Sequence, residues 1–98
     1  MAASVDIGAL IAKRADFKGG DAFLAGTGLR VKRIVAYYKL GYSPEEIAAE
    51  YGHVSLAQVH ASLAYYHANQ GEIEASLAED DRAIEALERQ SRQHHGTQ

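Results

Sequence analysis

The chain has 98 residues, a net charge of −3 and no cysteine. That length suits one domain with a single core, small enough that dimer formation would help to bury apolar surface, and the missing thiols exclude disulfides and thiolate zinc sites. No apolar run approaches the roughly 20 residues that span a bilayer. The apolar start Met1 to Ala12 is interrupted by Asp6 and leads into Lys13-Arg14, the wrong order for a signal peptide, so a cytoplasmic protein is expected.

The charge is unevenly distributed. Residues 1 to 39 hold seven cations against three acids, a balance of +4, whereas residues 40 to 98 hold three cations against ten acids, a balance of −7. Either the two halves are solvated surfaces that happen to differ, or a basic face awaits an anionic partner and an acidic segment a basic one.

The first region, residues 9 to 31, reads as a β-arm. Gly19, Gly20, Gly26 and Gly28 divide it into short apolar pieces. Leu10 to Lys13 and Ala22 to Leu24 are expected to pair as a hairpin around Gly19-Gly20, with Thr27 to Val31 continuing extended. The run Ile7 to Ala12 also fits a helical turn.

Residues 31 to 69 read as three helices. In the first, Val31 to Leu40, the positions Val31, Ile34, Val35 and Tyr38 share an inward face, Lys32, Arg33 and Lys39 take other faces, and Gly41 ends the helix. The second runs from Pro44 to about Tyr51 behind a capping box of Ser43 and Glu46, with proline at the first helical position and Tyr42 and Ile47 placed as a hydrophobic staple. The third runs from Leu56 to about Asn69 behind the box of Ser55 and Gln58, with Val54 and Val59 as staple and Leu56, Val59, Leu63 and Tyr66 as its buried stripe. Between them, Tyr51-Gly52-His53 offers Gly52 for a left-handed helix end, and the pair reads as a helix-turn-helix.

Gly71 is expected to interrupt or end the third helix. A fourth follows over residues 72 to 90, with Ile73, Leu77, Ile84 and Leu87 on alternating three- and four-residue steps once Asp80 is counted as the missing member. That narrow seam calls for a partner. Glu85 with Arg89 and Glu88 with Arg92 are spaced as supporting pairs, and the polar residues 91 to 98 are expected to fray.

These pieces resemble the family of small bacterial proteins called domain of unknown function 433. The resemblance is carried by Gly19-Gly20, Ala25-Gly26-Thr27, Val31, Gly41-Tyr42-Ser43-Pro44-Glu45-Glu46-Ile47, Tyr51-Gly52-His53-Val54 and Ser62-Leu63-Ala64-Tyr65-Tyr66, and it covers about residues 9 to 75. Three positions depart from the family's pattern. Gly28 stands where arginine usually follows Gly-Thr, Arg30 stands where proline precedes valine, and Gly52 replaces the usual proline of the turn. The resemblance implies a mainly α, homeodomain-like three-helix bundle with an N-terminal β-arm, here extended by an amphipathic C-terminal helix. It also implies an antitoxin-like, homodimeric protein that binds a PIN-like ribonuclease toxin through one segment and operator DNA through another.

The residues themselves qualify that picture. The exposed start of the third helix would present Gln58, His60, Ala57 and Ala61, a poor reading head without arginine or lysine. Gln58 has a competing use as a cap. Arg30, Lys32 and Arg33 are better placed for phosphate contact, with Lys13, Arg14 and Lys18 in support; a solvated basic face is the plainer reading. His60 and His67 are about 10.5 Å apart along a helix, too far to share a metal ion, and His53 suits a helix end or a tyrosine ring. His94-His95 falls in the tail. In the pairs Tyr37-Tyr38 and Tyr65-Tyr66, one ring faces the core and the other outward. No nucleophile with a base, carboxylate pair or phosphate loop is present, so a non-enzymatic protein without cofactor or metal is expected. The leading expectation is a binding module whose seam of Ile73, Leu77, Ile84 and Leu87 docks on a protein partner. The alternative is a DNA-binding transcriptional regulator.

Overall fold

Gly19, Gly20, Gly26 and Gly28, all at positive φ, turn the chain on either side of a short extended piece, and α-helix begins after the last of them. In the computed structural model, which describes residues 4 to 96 and the side chains of residues 4 to 91, a short 3-10 turn Ile7–Leu10 leads into strand β1, Ile11–Ala12. β1 pairs antiparallel with β2, Phe23–Leu24, with Ile11 opposite Leu24 and Ala12 opposite Phe23. The expected hairpin is therefore present, and the run Ile7 to Ala12 is half helical turn and half strand.

Beyond β2 the chain turns back on itself. The Leu24 amide donates to the Leu29 carbonyl at 2.7 Å, the Val31 amide donates to the Ala22 carbonyl at 2.9 Å, and Phe23 bridges to Arg30. The turn needs positive φ at Gly26 (82°) and Gly28 (73°). Gly28 accordingly stands where an arginine side chain would be strained.

Four helices follow: α1, Val31–Lys39; α2, Pro44–Tyr51; α3, Leu56–Ala68; and α4, Gln70–Gly96. Both capping boxes are complete. The Ser43 hydroxyl accepts from the Glu46 amide at 3.1 Å while the Glu46 carboxylate accepts from the Ser43 amide at 2.8 Å. Ser55 and Gln58 repeat the exchange at 3.1 and 2.7 Å. Gly52 closes α2 at φ 74°, a value proline cannot adopt, so the proline that the resemblance leads one to expect here could not follow this turn.

The core has two joined parts. Leu24, Ile34, Ile47, Val54, Val59 and Leu63 gather β2, α1, α2 and α3. Ala22, Val31, Val35, Tyr66 and Ile73 join the arm, α1 and α3 to the start of α4.

Several expected positions differ. Tyr37, not Tyr38, packs on the first cluster, because the ring 100° round the helix from Tyr38 meets Tyr42 and Tyr51 at 5.0 and 5.7 Å. Of the expected stripe of α3, Val59, Leu63 and Tyr66 are buried and Leu56 is exposed, while Ala61 and Ser62 widen the inward face. The Ser62 hydroxyl stays satisfied by donating to the Gln58 carbonyl at 2.9 Å. The break after α3 falls at Asn69 (φ −138°, ψ 43°), whose amide side chain donates to the Tyr65 carbonyl, while Gly71 lies within the first turn of α4.

α4 gives the molecule its shape. Its first turns pack on the body and the rest projects, so the extents are 68 × 29 × 22 Å and the radius of gyration is 16.5 Å, against about 13 Å for a compact chain of this length. Glu85 and Arg89 form no ion pair, and the side chains of Arg92, His94 and His95 lie outside the described residues.

Candidate functional site

The residues expected to meet phosphate do not share one surface. Lys32 follows Val31 into the interior, where its side chain is 8% exposed and its ammonium lies 3.2 Å from Asp21 and 3.0 Å from Asp80. It also donates to the Ser76 hydroxyl at 3.0 Å, and that hydroxyl donates on to Asp21 at 3.3 Å. Lys32, expected on a face of α1 other than the inward one and as a phosphate contact, is buried instead. A charge so poorly hydrated is tolerated because two carboxylates and a hydroxyl replace its water.

Arg30 is half-buried beside the same group. Its Nε, enclosed and without a hydrogen-bond partner, lies 3.6 Å from Asp21. Arg33 alone of the three is exposed. On α3, His60 is exposed, Gln58 is committed to the Ser55 amide, and Ala61 is buried.

Part of the charge asymmetry of the sequence is taken up by ion pairs within the chain. Lys13 donates to Glu72 at 2.8 Å, Lys39 pairs with Glu74, and Lys32 pairs with Asp80. The acids of the first turns of α4 thus fasten it to cations of the arm and α1. The hydrogen bond from Lys39, helped by one from the Tyr66 hydroxyl, holds the Glu74 carboxyl below the usual range, and the same pairing raises Lys39. Lys13 is raised by its bond to Glu72, and burial together with Glu72 raises the Tyr65 hydroxyl.

The apolar seam of α4 divides at the same point. Ile73 is 3% exposed in the second core cluster and Leu77 packs against it. Asp80 then turns to Lys32. Past it, Ile84 is 53% and Leu87 64% exposed. The four residues expected to dock on a partner are therefore two structural anchors and two free side chains.

Asp21, Ser76 and Asp80 are the polar residues that sequence reasoning missed. The available signal was the polar gap at Asp80 in an otherwise apolar seam, together with a lysine next to the apolar face of α1. His53 behaves as anticipated: its Nδ1 donates to the Tyr51 carbonyl at 2.9 Å, and its ring lies edge-on to Tyr51. Among the described residues no pocket opens on the surface, no three His, Cys, Asp or Glu side chains approach closely enough to share a metal ion, and no helix is long and apolar enough to cross a membrane.

A family model described as a protein of unknown function, DUF433, matches residues 11–66. Among solved structures, the crystal structure of a DUF433 member protein from Anabaena variabilis is similar at 28% identity and a TM-score of 0.65, covering 70% of this chain and 68% of that one. No curated protein matches.

Proposed function

The chain belongs to the DUF433 family, and we propose that it is a non-enzymatic binding module, the antitoxin-like component of a type II toxin–antitoxin pair. In this reading α1 to α3 form a homeodomain-like helix-turn-helix scaffold, and the projecting part of α4 holds a PIN-like ribonuclease toxin. The observation that carries it is the exposure of Ile84 and Leu87 on a helix whose preceding seam residues are buried. Two large aliphatic side chains on a projecting helix suit insertion into a partner's groove.

Direct reading of DNA by α3 draws less support. The start of α3 offers no cation, and Lys32 is committed to carboxylates. Phosphate neutralisation would fall mainly to Arg33 and the arm.

Co-expression with the product of the neighbouring gene tests the proposal. The two proteins should co-purify, and Ile84→Asp with Leu87→Asp should abolish the association while the chain stays folded. Unchanged co-purification of that variant would refute docking through α4. Leu77 is unsuitable for the test because it packs against the core.

A further inference from the structure

We infer that the surface covering Ile84 and Leu87 is an apolar groove or helix face edged on one side by lysine and arginine, and not a second copy of this chain. The inference rests on the docking role of α4 and assigns the chemistry of what docks there.

Three observations support it. First, ion pairs from the cations of the arm and α1 reach along α4 only as far as Asp80: Lys13 takes Glu72, Lys39 takes Glu74 and Lys32 takes Asp80. Asp81 and Glu85 have no ion-pair partner among the described residues, although Lys39 feels Asp81 at longer range. Second, the acids lie beside the free apolar residues. At 100° per residue, Ile84 and Leu87 are about 60° apart, and Asp81, Glu88 and Glu85 follow at about 40 to 100° on the Ile84 side. The other flank holds Ala83 and Gln90, and Arg82 and Arg89 point to the far face, so the seam has one acidic edge and one neutral edge.

Third, this edge pattern is poor for self-pairing. An antiparallel second copy would set the acidic edge against itself, and a parallel copy would set it against Ala83 and Gln90, which contribute no attraction. Two exposed aliphatic residues also fall far short of the roughly 1,200–2,000 Å² of a stable protein interface. The remainder must come from the flanks, and the acidic flank selects cations.

The test uses the full chain and two synthetic helical peptides with the same leucine seam, one edged with lysine and the other with glutamate. Methyl resonances of Ile84 and Leu87 report binding. The lysine-edged peptide should bind at least about tenfold more tightly, and its affinity should fall as salt rises from about 50 to about 300 mM. The variant Asp81→Lys with Glu85→Lys should reverse the preference.

Equal binding of both peptides, or binding of neither, would overturn the inference. So would sedimentation of the wild-type chain as a dimer that Ile84→Asp dissolves. Failure of the antitoxin-like reading is distinguishable: peptide selectivity would persist while the neighbouring gene product co-purified equally with the Ile84→Asp, Leu87→Asp variant.

Discussion

Lys32 and Asp80 are 48 residues apart in sequence and 3.0 Å apart in the fold. The pair, with Asp21 on its other side, ties the β-arm, α1 and α4 together at the point where α4 leaves the body. It also divides α4 into an anchored part and a free part.

Removing the lysine tests that clasp. Lys32→Met should destabilise the chain by about 2–3 kcal/mol, at or below the low end of the range for breaking a buried pair, because Asp21 and Asp80 can regain some water. The side chains of the two carboxylates are 28% and 46% exposed. Lys32→Met combined with Asp80→Leu should recover part of the loss in urea denaturation. Additive losses would mean that the two residues act independently.

The two halves of the seam should respond differently to the same substitution. Ile73→Ala should cost about 2–5 kcal/mol, as truncation in a packed core does. Ile84→Ala and Leu87→Ala should each change stability by less than about 0.5 kcal/mol. Comparable losses at Ile73 and Ile84 would place the far part of α4 against the body.

The capping box of α2 predicts a pH dependence. Hydrogen bonds from Ser43, the backbone amide first, hold the Glu46 carboxyl below its ordinary value of 4.5. A depressed carboxyl contributes stability above its unfolded pKa, and that contribution is lost as pH falls through the folded pKa. The fall in stability below about pH 4.5 should be shallower in Glu46→Gln, by acid titration of the unfolding free energy. Identical acid limbs for the two proteins would assign the dependence elsewhere.

Gly28 offers a test of the departure from the family pattern. An added Cβ would meet Lys18 and Phe17 at ordinary contact distances of 3.7 and 3.8 Å, so the obstacle is φ 73°. Gly28→Arg should cost about 1–2 kcal/mol. A neutral result, read from thermal unfolding, would show that the turn relaxes to accept a side chain.

The parts of the fold legible in the sequence are those whose determinants are local. Ser43 with Glu46 and Ser55 with Gln58 are complete within four residues each, and both boxes form as read. The hairpin was legible because Gly19-Gly20 and Gly26 mark turns on either side of its second strand. The inward course of Lys32 was not, since Asp21 and Asp80 decide it and neither is near it in sequence. Tyr37 and Tyr38 are separated by one helical step, and only Tyr42 and Tyr51 determine which ring packs. Along α4 the periodicity is continuous, so it marks a seam but not where the body beneath it ends. That boundary, at Asp80, turns two of the four expected interface residues into core.

The most direct measurement of the docking claim is hydrogen–deuterium exchange on the chain alone and in complex with the product of the neighbouring gene. Docking through α4 should strongly protect the amides of residues 81 to 91 on binding, with α3 little changed. Protection confined to α3 or the β-arm, with the far part of α4 exchanging as in the free chain, would contradict it.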